Sequence, residues 1–181
     1  MANEKKMDYV ILGLLSHENL TGYEIKKRID TGLKLFWSAS FGSIYPTLKE
    51  LVTNGFAVIS GTAEKDRNKI TYSITKRGRQ RLKSWLLKPA EKDELRYETL
   101  LKLFFADGVD VKTTIKHIEN FELKISSWLS FLKTAVKNLE SLDDGNRTHL
   151  YYLLTAKFGA RVYETYLDWC EETKNILKAE D

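Results

Sequence analysis

Apolar positions follow two rhythms along the chain, and they predict a helix-rich first half closed by a hairpin, then two long helices. Residues 9–15, YVILGLL, are almost continuously apolar and predict a buried helix, although in so short a run periodicity also fits a strand. Thr21 is placed to cap a second helix, GYEIKKRI, with Glu24 three residues on completing a capping box. Ile25, Ile29 and Leu33 then recur at a spacing of four and face inward, leaving Lys26, Lys27 and Arg28 outward. Those three cations suit either a solvated face or contact with phosphate.

The third segment, FGSIYPTLKELVTNGF, carries Ile44, Leu48, Leu51 and Val52 on one helical face and ends at the stop signal Asn54-Gly55. Proline lacks an amide hydrogen and is best placed in a first turn, so Pro46 predicts a helix starting near Gly42 or Ser43. On that wheel Ser43, Pro46, Lys49, Glu50 and Thr53 face away from the core, with Tyr45 and Thr47 on the flanks. Beyond Gly55 the period shortens to two. FAVISG and KITYSI predict a hairpin, with Ile70, Tyr72 and Ile74 on one face and Lys65, Arg67 and Lys69 at its tip and flank. Thr75 then caps a basic helix, KRGRQRLKSWLL, whose inward stripe is Leu82, Trp85 and Leu86.

A proline and a polar cluster, KPAEKDE, interrupt the helical pattern at Pro89, and the boundary is expected there: residues 1–88 as one domain, 89–181 as another. In the second half a heptad runs through Ile118, Ile125, Leu132 and Leu139, and through Phe121, Trp128, Ala135 and Leu142, widened by Leu129 and Val136. A further series runs Leu153, Ala156, Ala160, Tyr163, Leu167, Cys170, with Lys174 breaking it before Leu177. The short link Asp143-Asp144-Gly145-Asn146 makes the two helices antiparallel neighbours. Such a hairpin leaves one face of each helix to bury. Either an intramolecular three-helix bundle with LRYETLLKLFF or a two-fold dimer would do so; on the dimer reading Trp128, Leu132, Tyr163 and Leu167 lie between subunits.

Charge separates the halves. Residues 1–88 hold 16 Lys and Arg against 8 Asp and Glu, while the remainder holds 13 against 17. A helical triplet followed by a basic hairpin, with this excess, points to double-stranded DNA: the Pro46 helix in the major groove and the hairpin against flanking backbone. The small and hydroxylic face of that helix suits close approach to base edges. Competing classes are weaker. His17, His117 and His149 have no metal-ligand spacing, there is no phosphate-binding glycine loop, and Cys170 falls on an apolar stripe, so neither a catalytic site, a metal nor a cofactor is expected. A helical interaction module without DNA binding is the remaining alternative; it predicts no salt-dependent affinity for DNA. The apolar run at residues 9–15 is too short to span a bilayer and is followed by Ser16, His17 and Glu18 rather than a cleavage site, which fits a cytoplasmic protein.

The segments LGLLSHENLTGYEIKKRI, FWSASFGSIYPTLKELVTNGF and YSITKRGRQRLKSWL resemble the winged helix-turn-helix of the PadR-like transcriptional regulators, with GYEI, IYPTLKELVTNGF and YSIT…G…L in matching order. LLKLFF followed by two long helices is similar to the larger subfamily with an extended carboxy-terminal dimerisation domain. The resemblance implies a mainly α fold, a winged helix-turn-helix domain followed by long antiparallel dimerisation helices. It implies a homodimeric regulator of a pseudo-palindromic operator, a repressor or, as in some members, an activator. Candidate DNA contacts are Tyr23, Lys26, Ser43, Tyr45, Thr47, Lys49, Lys65, Arg67 and Lys69. It also implies a small aromatic effector such as a phenolic acid, for which Trp37, Tyr97 and Phe104 are candidate contacts between the domains.

Overall fold

The computed structural model describes residues 6–33, 36–62, 70–90, 97–142 and 144–179. The chain divides into two compact units, Met1–Asp93 and Glu94–Asp181.

In the first unit the order is α1 (Lys6–Leu15), β1 (Leu20–Thr21), α2 (Gly22–Arg28) continued by a wider turn at Ile29–Leu33, α3 (Phe41–Thr53), β2 (Ala57–Thr62), β3 (Ile70–Ile74) and α4 (Lys76–Leu86). The expected two-stranded hairpin is a three-stranded antiparallel sheet of order β1-β3-β2, because Leu20 and Thr21 pair with Tyr72 and Thr71. Two residues carry no strand signature of their own. Residues 9–15 are helical, and Ile11, Leu12 and Leu15 pack with Leu20, Ile25, Ile29, Ile44, Leu48, Leu51, Ala57 and Tyr72 into one core. Burying each large aliphatic side chain there is worth roughly 1.5–3 kcal/mol over leaving it in water.

Local chemistry fixes the ends of these elements. The Thr21 hydroxyl accepts from the Glu24 amide and the Glu24 carboxylate accepts from the Thr21 amide, the expected capping box. Helix α3 ends with Gly55 at φ 70°, where the Phe56 amide reaches back to the Leu51 carbonyl (2.8 Å) and the Gly55 amide to Val52 (3.0 Å). This wrapped end satisfies carbonyls that a terminating helix leaves free. The start differs from expectation: α3 begins at Phe41, because the amides of Ser43 and Ile44 both bond the Ser40 carbonyl (3.0 and 3.1 Å). Pro46 therefore sits in the second turn, and the carbonyl it leaves without an amide is that of Gly42. Both residues are exposed, so water can take that place.

Helix α4 closes the unit against α1. Tyr9 and Trp85 stack at 4.6 Å, and the Arg81 guanidinium lies over the rings of Tyr9 (5.5 Å) and Phe56 (4.6 Å) while donating to Asp8 at 3.0 Å. Leu86, expected inside, is 65% exposed. With about 100° per residue, a stripe centred on Gly78 and Trp85 leaves Leu86 roughly 90° round the wheel.

The second unit holds α5 (Glu98–Phe104), a 3-10 turn at Ala106–Gly108, α6 (Val111–Glu140) and α7 (Arg147–Ala179). Asp110 caps α6, accepting from the Thr113 amide and hydroxyl at 2.8 Å each, which holds its carboxyl below the usual carboxylate range. The ion pairs Glu122–Lys174, Lys133–Glu164 and Glu140–Lys157 advance along one helix and retreat along the other, so α6 and α7 are antiparallel. Lys174, the break in the apolar series, lies where it can pair with Glu122. The seam buries Thr114, Ile118, Ile125, Leu129, Leu132 and Cys170. Burial pushes the Cys170 thiol up.

Candidate nucleic-acid interface

Helices α2 and α3 present the surface that the sequence singled out. Tyr23 is 66% exposed at the start of α2, and Lys27, one turn later, is exposed on the same side. On α3, Tyr45 (48% exposed), Pro46, Lys49, Glu50 and Thr53 face water, and Ser43 is half-buried with its hydroxyl donating to the Ser40 carbonyl at 2.8 Å. Thr47 does not stay on the flank. It is buried at 7% exposure, and its hydroxyl donates to the Ser43 carbonyl at 2.8 Å. A hydroxyl satisfied by the preceding turn can enter the core, so the DNA-contact expectation for Thr47 is corrected.

The cations divide by what already holds them. Lys26 is half-buried, paired with Asp30 and set 5.9 Å from the centre of the Phe41 ring. Arg28 pairs with Glu18 at 2.6 Å. On α4, Arg77 lies over Phe56 (4.9 Å), Arg79 donates to the Ser16 carbonyl (3.0 Å) and Arg81 holds Asp8. Much of the basic excess therefore ties the fold together. Lys27 and Lys49 are exposed and have no ion-pair partner among the described residues, which leaves them available to a polyanion. Lys27, absent from the expected contacts, is exposed where Lys26 is half-buried and paired. The expected wing contacts Lys65, Arg67 and Lys69 lie outside the described residues.

Sequence reasoning also missed a close approach between the two helices. A Cβ on Gly22 would stand 2.6 Å from Cε1, 2.8 Å from Cζ and 3.0 Å from the hydroxyl of Tyr45. The Tyr45 ring also neighbours Phe41, 6.1 Å away and tilted by 22°. Tyr72, beneath on β3, has its phenol pushed up by burial and then by the charge Tyr45 would carry if ionised. No spacing rule pairs Gly22 with Tyr45.

In the second unit, the candidate dimer contacts Trp128, Tyr163 and Leu167 are half-buried within their own hairpin, whereas Leu132 is 2% exposed. Its side chain lies under Gly159, where a Cβ would come within 3.0 Å of Leu132 Cδ1. Leu132 thus packs inside the chain, and its assignment between subunits is corrected: a heptad reports a packed seam without saying which helix fills it. The large apolar residues still in water on α7 are Leu150, Leu154 and Phe158, at successive turns, with Tyr151, Tyr152 and Ile176. Of the candidate effector contacts, Trp37 is half-buried in the first unit. Tyr97 packs in the second against Phe121 and Tyr166, its hydroxyl 3.0 Å from that of Tyr166; burial and this bond push its pKa upward. Phe104 is 78% exposed. A cavity of about 350 Å³ between α5 and α6 is lined by residues including Leu101, Lys102, Phe105, Val109, His117 and Ile118, and by none of those three.

Among the described residues no group of three or more His, Cys, Asp or Glu could hold a metal ion, and no helix is long and apolar enough to cross a membrane. Residues 11–84 match the family model of the Transcriptional regulator PadR-like family, and residues 95–178 match that of Virulence activator alpha C-term. The negative transcriptional regulator PadR of Bacillus subtilis is 28% identical over 171 residues, which cover 91% of this chain and 93% of that protein. The solved structure of Bacillus subtilis PadR with operator DNA is similar at TM-score 0.79 and 26% identity, covering 96% of this chain and 99% of that one. The same protein's structure with p-coumaric acid is similar at TM-score 0.74 and 27% identity, with the same coverage.

Proposed function

The chain belongs to the PadR-like family of transcriptional regulators, and we propose that it acts as a homodimeric, ligand-responsive repressor of a pseudo-palindromic operator. The observation that carries the docking is the exposed face of α3: Ser43, Tyr45, Pro46, Lys49 and Thr53 share it, and Lys49 is unpaired among the described residues. This face enters the major groove, Tyr23 and Lys27 follow the backbone beside it, and the basic wing around Lys65, Arg67 and Lys69 meets the flanking groove. The relatives are regulators rather than enzymes, and the Bacillus subtilis relative is a negative one, which favours repression by promoter occupancy. The match of residues 95–178 to an activator's carboxy-terminal family favours a second reading, activation from the same DNA contacts.

Dimerisation is proposed through the long helices, because Leu150, Leu154 and Phe158 leave an apolar stripe on α7 that the hairpin itself does not cover. Trp128, Tyr163 and Leu167, half-buried beside the seam, extend it. Two copies would read two half-sites and add the contacts of both. A small aromatic acid is the proposed effector, on the strength of the p-coumaric acid complex of the relative, with Trp37, Tyr97 and Phe104 as its candidate aromatic contacts. The experiment is selection of genomic fragments by the purified protein, followed by salt titrations of the selected duplex. Lys49→Ala and Arg67→Ala should each weaken binding and lower the slope of log affinity against log salt by about one. Unchanged binding in both variants counts against this docking, and an effector without influence on DNA release removes the ligand from the reading.

A further inference from the structure

We infer that Gly22 is a positioning residue for DNA recognition, acting through Tyr45: its missing side chain lets the Tyr45 ring rest against the start of α2, so that the phenol hydroxyl meets a backbone phosphate rather than a base. The inference rests on the docking proposed above and adds what holds one of its contacts. Two ring atoms of Tyr45 would lie closer to a Cβ at position 22 than real Cβ contacts allow, at 2.6 and 2.8 Å, and the hydroxyl would be tight at 3.0 Å. Phe41 stacks at 6.1 Å and itself lies under Lys26, whose ammonium pairs with Asp30. The ring thus has both the α2 backbone at Gly22 and the Phe41 ring as neighbours, although nearly half of Tyr45 remains exposed.

That position decides what the hydroxyl can reach. It sits at the seam of α2 and α3, withdrawn towards α2, whereas base edges are met by residues projecting from the outer face of the recognition helix, where Lys49 and Thr53 stand. Groups beside that helix meet the phosphodiester backbone, which fixes register without reading sequence. Gly22 has no conformational need to be glycine, since the only described glycines with positive φ are Gly55 and Gly145. Space for the ring is what remains to require it.

The test uses the full-length protein and a pool of short mixed-sequence DNA duplexes at low ionic strength, read by fluorescence anisotropy. Tyr45→Phe should weaken binding about tenfold across the pool, as loss of a charge-assisted hydrogen bond does. Gly22→Ala should produce a similar loss, and the double variant Gly22→Ala/Tyr45→Phe should bind no more weakly than Tyr45→Phe alone. Gly13→Ala, where a Cβ meets nothing within 4 Å, controls for glycine replacement as such. Wild-type affinity in Gly22→Ala, or losses that multiply in the double variant, would overturn the inference while leaving the docking intact. Losing affinity at one operator position only, in Tyr45→Phe, overturns the phosphate assignment. Absence of salt-dependent binding by the wild-type protein brings down the docking itself, and the inference with it.

Discussion

Gly78→Ala should unfold the first unit at a much lower temperature, although the same exchange at Gly13 should leave it unchanged or slightly stabler. Both glycines are helical, and in an exposed helix interior replacing glycine by alanine gains up to about 1 kcal/mol. At Gly13 nothing stands within 4 Å of the added Cβ. At Gly78 it would lie 2.1 Å from the Phe56 carbonyl oxygen and 2.8 Å from Ile74 Cγ1. The oxygen belongs to the backbone and cannot swing aside. It also accepts from the Thr75 amide (3.1 Å) and the Thr75 hydroxyl (3.1 Å), while that hydroxyl accepts from the Gly78 amide (3.0 Å) to cap α4.

Relief by more than an ångström must therefore open the junction of β2 and α4. Overpacking ordinarily costs about 1–3 kcal/mol, and a lost helix cap adds about 1 kcal/mol, which outweighs the helical gain. With overpacking at the top of that range, as a fixed backbone oxygen demands, the net loss is about 3 kcal/mol, which in a unit of this size lowers the melting temperature by roughly 12–24 °C. Thermal melts followed by circular dichroism, with the stacked Tyr9–Trp85 pair as a near-ultraviolet reporter, measure it. A Gly78→Ala protein melting within about 2 °C of wild type, an interval far below the expected shift, would refute the reasoning.

Asp8→Ala strips Arg81 of its carboxylate where Arg81 lies between two rings, with side-chain exposures of 33% and 13% for Arg81 and Asp8. Breaking a fully buried pair costs about 3–5 kcal/mol, but partial exposure reduces this to about 2 kcal/mol, measurable by urea denaturation. Lys174 has its pKa raised, chiefly by its hydrogen bond to Glu122, so its folded form binds the proton more tightly than its unfolded form. That stabilisation is fully present below the ordinary lysine range and is lost as pH rises through the folded value. Melting of wild type should accordingly fall more steeply with alkaline pH than melting of Lys174→Met; parallel profiles would show that the pair contributes nothing.

What could be read from sequence was what local chemistry decides. Thr21 and Glu24 satisfy one another over three residues, Asn54-Gly55 ends α3 through a left-handed glycine, and the heptad through Ile118, Ile125 and Leu132 becomes a buried seam. The misses are of another kind. Thr47 stands between Ile44 and Leu51 at the spacing of a core position, and only its hydroxyl argued for water; the Ser43 carbonyl satisfies that hydroxyl. Strand β1 exists because β3 offers it an edge, not through any propensity of two residues. Gly22 and Tyr45 are far apart in the chain, and their approach follows from how α2 crosses α3.

The same distinction changes the meaning of the charge asymmetry. An excess of cations over residues 1–88 looks like a single electrostatic surface, yet Arg77 and Arg81 cover the Phe56 ring, Arg79 holds the Ser16 carbonyl, and Lys26 and Arg28 face their own carboxylates. Of these, Lys26, Arg28 and Arg81 face carboxylates and release few counterions when DNA arrives, because their field is already met. Exposed lysines of the first unit such as Lys27, Lys49, Lys76 and Lys83, which have no ion-pair partner among the described residues, should then enter the salt slope most strongly wherever they meet the duplex. On the docking proposed above, orientation on the duplex comes in larger part from uncharged donors such as Tyr23 and Tyr45. For such donors geometry decides the strength of contact, and a glycine that fixes one ring has as direct a bearing on affinity as a lysine.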